Sequence, residues 1–210
     1  MAISGDGRYV LTGSWEPDYG ARLWDLSQLA NSSQPVTLRF KDRVFDVTFS
    51  RDGHWAAAGS WDKTTQLLDL TKPGARPFVL EGHTARTLSV AFSADSQWLV
   101  TGNEDRTARL WNLASADPSA DSVVLHAPSS VGYVSFSRDG RWLALNQMES
   151  QSSPFSPDGF WFPSPALDTG CIIRAWKIWS CSPAERLGAI SRRTNCYRGM
   201  FHWTRRSARV

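Results

Sequence analysis

Residues 88–113 read LSVAFSADSQWLVTGNEDRTARLWNL. Three segments of strand length lie in this stretch, parted by two polar turns. Leu88–Ser93 alternates its side chains, Trp98–Gly102 is mostly apolar, and Ala108–Leu113 ends in a Trp-Asn-Leu phrase. Ser122–Leu125 adds a fourth segment. Alternation with period two, broken by turn residues every few positions, spells short antiparallel strands. Helical periodicity is absent through residues 1–150.

The same words recur on either side. Ser-x-Asp-Gly stands at Ser4–Gly7, Ser50–Gly53 and Ser137–Gly140, with Ser93-Ala94-Asp95-Ser96 as a variant, so that the Asp residues lie 46, 43 and 44 positions apart. Two residues beyond each turn comes an aromatic: Tyr9, Trp55, Trp98 and Trp142. Ala21-Arg22-Leu23-Trp24-Asp25-Leu26 returns as Ala108-Arg109-Leu110-Trp111-Asn112-Leu113, and in degraded form as Thr65-Gln66-Leu67-Leu68-Asp69-Leu70. Four short strands per repeat of this length is the arithmetic of a propeller blade. A β-sandwich also has many short strands, but it does not repeat the same words at one period. The units fall near residues 1–40, 41–82, 83–126 and 127–145 onward, together 1–145. A degenerate or recombined last blade follows over 146–180 and a basic C-terminal tail over 181–210.

Leu80-Glu81-Gly82-His83, Val90-Ala91-Phe92-Ser93 and Thr107-Ala108-Arg109-Leu110-Trp111-Asn112 resemble the repeat signature of the WD-repeat β-propeller family, in wording of bacterial type. The resemblance covers residues 1 to about 145 and implies an all-β fold: a partial or open propeller of about four antiparallel four-stranded blades, the last irregular. Family members usually close a ring of about seven blades. Here the start supplies only the end of an innermost strand, so an open arc is expected. Its exposed edges would be an aggregation liability.

Most of the repeated residues read as structural. Gly in the turn tolerates a left-handed backbone, and Asp can bond to backbone N–H groups two residues on. A metal or catalytic reading of Asp6, Asp52, Asp95 and Asp139 is weaker, because equivalent places in successive blades are expected to lie far apart. The third unit resembles the family's complete polar network of His83, Thr101, Asp105 and Trp111, with Asp105 bonded to His83, His83 to Thr101, and Thr101 to the Trp111 indole. His, hydroxyl and Asp also compose a hydrolase-like trio, but a buried network explains them together with the Trp. The second unit keeps Asp62 but has Ala58 and Leu68 at the hydroxyl and Trp positions, with Phe40 or Lys41 at that of His83. Asp62 is expected to satisfy only its own turn. The first unit keeps Thr12, Asp18 and Trp24.

The pattern breaks after Leu145. Asn146–Ser153 is polar, and Phe155-Ser156-Pro157-Asp158-Gly159-Phe160-Trp161 echoes Phe136–Trp142 only 19 residues after Asp139. Either a loop of about 20 residues is inserted or about 24 residues are lost between two former blades, and the echo favours the loss. Asp168 and Arg174-Ala175-Trp176 read as a distorted third-strand phrase. Pro154, Pro157, Pro163 and Pro165 argue against regular strands around them.

Composition fits a folded, soluble protein: 41% hydrophobic, 20% charged and 11 Trp in 210 residues, the last explained by reuse of one Trp per unit. The net charge of +3 hides an uneven distribution. Residues 181–210 hold seven Arg and one acid, leaving −3 for residues 1–180 and no general nucleic-acid signal in the body. Cys171, Cys181 and Cys196 show no CxxC pair, so they read as free thiols. No apolar run is long enough to span a bilayer, and the N-terminus lacks the basic start and apolar stretch of a signal peptide, so a cytoplasmic location is expected.

The expected function is a non-catalytic protein–protein interaction scaffold, with no cofactor, metal or catalytic residue. His83–Arg86 and Asp117–Asp121 are candidate contact loops. The partner is an unidentified protein or peptide, further propeller blades, or a second copy. The alternatives are nucleic-acid or anionic-surface binding through the basic tail, a propeller-based enzyme, and the nonfunctional product of a truncated repeat gene.

Overall fold

The computed structural model describes residues 1–15, 17–31, 34–146 and 171–174. Strands β1 (Ala2–Ile3), β2 (Tyr9–Gly13), β3 (Gly20–Asp25) and β4 (Val36–Arg39) form the first antiparallel sheet, with a short 3₁₀ turn over Leu26–Asn31. The second sheet consists of β5 (Val44–Phe49), β6 (Trp55–Ser60), β7 (Thr65–Asp69) and β8 (Phe78–Leu80). The third consists of β9 (Thr87–Phe92), β10 (Trp98–Asn103), β11 (Thr107–Asn112) and β12 (Ser122–His126). A three-stranded fourth sheet holds β13 (Tyr133–Phe136), β14 (Trp142–Asn146) and β15 (Cys171–Arg174). Each sheet runs in chain order, and its first strand lies against the first strand of the next sheet. Blades therefore radiate from a common inner edge. Among the described residues no ladder joins the first sheet to the fourth, and the arc is open.

The four Ser-x-Asp turns close in one way. Asp6, Asp52, Asp95 and Asp139 each accept the turn Ser hydroxyl and the backbone N–H two residues on, at 2.5–3.1 Å. The same Ser oxygen accepts the N–H of Tyr9, Trp55, Trp98 or Trp142. Gly7, Gly53 and Gly140 sit at φ of 70°, 74° and 68°, and Ser96 takes the same left-handed conformation at 56°. Each carboxylate is thus occupied by its own turn. Neighbouring turns nevertheless meet, contrary to the expectation of wide separation. The Asp52 N–H donates to Ser96 Oγ at 3.3 Å, and Asp6 and Asp52 line one shallow recess.

Alternate residues of each strand face opposite neighbours, so the core is made of layers between blades. Leu11, Ala21, Leu23 and Leu38 pack on Val47, Ala56, Ala58 and Leu68. Ala57, Leu67 and Leu80 pack on Val90, Leu99, Trp111 and Leu113. Val100, Leu110 and Leu125 pack on Val131, Val134, Leu143 and Leu145. A fully buried aliphatic side chain in such a layer contributes roughly 1.5–3 kcal/mol. Gly13, Gly59 and Gly102 occupy one position in three successive blades, and a Cβ there would approach Val44, Thr87 and Val134 to within 2.8–2.9 Å. Small size at this position is what lets adjacent blades come together.

Strand β15 pairs with β14 through Trp142↔Arg174, Leu143↔Ile173, Ala144↔Ile172 and Leu145↔Cys171. In the third blade the equivalent pairs are Trp98↔Asn112 and Leu99↔Trp111. Ile173 therefore stands at the position of Trp111, three residues before Trp176. The Arg174-Ala175-Trp176 phrase misplaced the register because its wording imitates Arg109-Leu110-Trp111, whereas the ladder selects the preceding β-branched pair. Trp176, the Phe155–Trp161 echo and the basic tail lie outside the described residues.

Candidate functional site

The turn between β10 and β11 and the connection entering β9 hold a buried polar line. Asp105 Oδ2 lies 3.1 Å from His83 Nδ1, His83 Nε2 lies 2.8 Å from Thr101 Oγ1, and Trp111 Nε1 donates to Thr101 Oγ1 at 3.1 Å. With Asp105 ionised, Nδ1 carries the ring proton, and the Thr101 hydroxyl donates to Nε2 while accepting the indole N–H. Burial pulls the His83 pKa below its ordinary value, and the Asp105 carboxylate only partly opposes this, so the neutral ring is favoured. Burial works to raise the Asp105 pKa, but the Thr107 hydroxyl, the Thr84 N–H and His83 together hold it below the ordinary carboxylate value.

As a trio for hydrolysis the arrangement is closed. Thr101 is fully buried and the His83 side chain is 2% exposed, so no substrate reaches the hydroxyl. Among the described residues, no group of three or more His, Cys, Asp and Glu converges as a metal site would need.

The same turn in the second blade has a different interior. Lys41 N donates to Asp62 Oδ2 at 2.8 Å, as Thr84 N does to Asp105 Oδ2 at 2.9 Å. Lys41 is therefore the counterpart of Thr84, and Phe40 that of His83. Asp62 also accepts the Thr64 N–H and hydroxyl, as Asp105 accepts those of Thr107. Asp62 does more than satisfy its own turn, because it ties that turn to the connection entering β5. In the first blade Trp24 Nε1 still donates to Thr12 Oγ1 at 3.3 Å, and Asp18 pairs with Arg22.

These clasps carry a second constellation that the sequence reading did not single out. Trp15 follows β2, Trp61 follows β6 and Glu104 follows β10, at one position of the repeat. Arg43 and Arg86 immediately precede β5 and β9. Trp61 N–H donates to Arg43 O at 3.0 Å and Glu104 N–H to Arg86 O at 3.1 Å, which fixes each Arg beside its blade's turn. The Arg43 guanidinium lies 5.5 Å from the Trp15 ring centre and 5.3 Å from that of Trp61. Arg86 lies 4.3 Å from Trp61, and Phe45 stacks on Trp61 at 5.7 Å. Arg86 ends the series 3.7 Å from Glu104. Indole and guanidinium thus alternate across three blades, with Trp15 53% and Phe45 38% exposed. Gly13-Ser14-Trp15 and Gly59-Ser60-Trp61, with Arg at 43 and 86, were the available signal.

Of the two candidate contact loops, 83–86 adjoins this ladder and 117–121 does not. The second loop follows the far end of β11, where Asn112 bonds to Asp121 and Asp117 accepts from Ser119.

Radial four-stranded sheets around a common inner edge, linked by repeated clasps, define the arc as part of a β-propeller. Residues 34–69 and 74–112 match the WD domain, G-beta repeat model. The chain carries WD repeats at these two places. It is 35% identical over 68 residues to the serine-threonine kinase receptor-associated protein of Gallus gallus, a match covering 32% of this chain and 19% of that relative. Among the described residues no helix is long and apolar enough to cross a membrane.

Proposed function

We propose that this chain is a non-catalytic scaffold that binds a protein partner across the Trp15–Arg43–Trp61–Arg86 ladder. The observation that carries the reading is the exposure of Trp15 and Phe45 on a rigid mount. Large aromatics and Arg are the side chains that dominate protein interfaces, and guanidiniums held against indoles lose little conformational freedom on binding. Asp62 and Asp105 fix the turns and connections that present them, so the buried polar line supports the surface without taking part in it. The relative's name describes association with a receptor, which fits a binding role. A cytoplasmic setting belongs to the same reading and is supported by the unpatterned cysteines.

The test is photo-crosslinking in cell extract from a benzoyl-phenylalanine placed at residue 15 or at residue 119. Proteins crosslinked from position 15 and not from position 119 are expected. Equal labelling from both positions, or none from position 15, would overturn the proposal.

A further inference from the structure

The geometry points to an acidic linear peptide as the ligand of the ladder, a partner class that rests on the scaffold reading above. The first support is the accessible charge. Over residues 40–43, 61–64, 83–86 and 104–106, the exposed side chains are Lys41, Lys63, Thr84, Arg86 and Arg106. Asp42, Asp62, Glu104 and Asp105 are only partly exposed, and the carboxylates of Asp62 and Asp105 are occupied by backbone N–H and Thr hydroxyl groups. Glu81 is exposed at the outer end of the same connection, and Asp18 is held by Arg22. Over these segments of the second and third blades the exposed charge is cationic.

The second support is an excess of donors. The Trp61 indole N–H is buried within the ladder with no acceptor. Arg86 reaches its carboxylate neighbour only at 3.7 Å, with half of its side chain exposed. The Arg86 guanidinium, 4.3 Å from the Trp61 ring centre, carries planar N–H donors in the fork that matches a carboxylate. Trp15 and Phe45 supply apolar surface beside those donors. A chain alternating acidic and apolar side chains meets both demands, its carboxylates on Arg86 and its apolar groups on the exposed rings.

The experiment is fluorescence anisotropy of the full chain with a short labelled peptide of alternating Glu and Leu. Comparison probes are the Lys/Leu peptide and a single-stranded oligo-dT. The Glu/Leu peptide is expected to bind tightest, and more weakly as salt rises. Trp15→Ala and Arg86→Gln should each weaken it roughly threefold to tenfold, the range for loss of a cation–π or stacked contact. Arg141→Gln, the same charge change in the exposed Ser-x-Asp-Gly turn of the fourth blade, should leave it unchanged. All three positions are at the surface, and unchanged thermal melts would show that the variants fold.

Equal binding of the Lys/Leu peptide, an Arg141→Gln loss as large as that of Arg86→Gln, or tighter binding of oligo-dT would each overturn the inference. If the acidic peptide fails while position 15 still crosslinks proteins, the scaffold stands and the ligand class falls. If both fail, both readings fall.

Discussion

The second and third blades share one clasp and enclose opposite interiors. Asp62 and Asp105 make matching bonds to the turn and to the connection ahead of the inner strand. Behind that clasp the third blade places His83, Thr101 and Trp111, and the second places Phe40, Ala58 and Leu68. The clasp is what the two blades keep in common. The buried line is one of two self-consistent fillings, because a buried polar trio with every partner present and an apolar trio each avoid an unsatisfied group. Removing Thr101 alone from the polar trio does not.

That principle gives the largest expected effect. Thr101→Ala places the second blade's residue in the third and leaves both His83 Nε2 and Trp111 Nε1 buried without partners. The expected cost is about 2–6 kcal/mol in urea unfolding, from two groups at roughly 1–3 kcal/mol each. On a His83→Phe background the same change should cost less by about 1 kcal/mol or more, since one of the two orphaned groups is then absent. Additive losses would show that the line is not a unit.

Next comes the contrast between the two aspartates. Asp105→Ala should exceed Asp62→Ala by about 1.5–3 kcal/mol, the worth of one additional hydrogen bond to a charged acceptor. The clasp bonds lost in the two variants match, so only His83 distinguishes them. Equal losses would remove the network as the difference between the blades.

Acidification should separate the blades more gently. His83 has a folded pKa below its ordinary value of 6.5, so the unfolded chain binds more protons once pH falls below that value. The stability His83 contributes is therefore present above pH 6.5 and is lost as pH falls toward the folded pKa. The depressed Asp105 pKa has the same sign at lower pH, while Asp46, raised by burial, has the opposite sign and is relieved by protonation. Unfolding curves of the parent should decline as pH falls below 6.5, and His83→Phe should flatten that decline. An unchanged slope would show that His83 is not the titrating group.

The smallest effect concerns the outer turns. Ser96 holds φ of 56° where Gly53 holds 74° in the second blade. Ser96→Gly relieves the left-handed strain but frees the unfolded chain and removes the acceptor of the Asp52 N–H. A net change within about 0.5 kcal/mol is expected, readable as a small shift in Tm. A loss well beyond that would mean that the turn-to-turn bond matters more than the backbone conformation.

Much of this was legible in the sequence for identifiable reasons. The Ser-x-Asp-Gly turns and Trp phrases are local, so their spacing carries strand order and blade number directly. The members of the buried line, His83, Thr101, Asp105 and Trp111, could be named because the third unit resembles the complete polar network of the WD-repeat family. The register of β15 was misread because a similar word stood three residues away, and word order does not record which residues pair across a ladder. Phe40 and Lys41 could not be ranked from spacing, and a single backbone bond from Lys41 to Asp62 resolves them.

By itself, then, the sequence determined what repeats: antiparallel strands, their turns, and the residues each blade directs toward its neighbours. Tertiary structure alone decided what happens between repeats. Arg43 meets Trp15, and Arg86 meets Trp61, across a blade boundary that no local pattern encodes. Such contacts depend on how closely one sheet settles on the next, which the packing at Gly13, Gly59 and Gly102 sets and a linear reading does not contain.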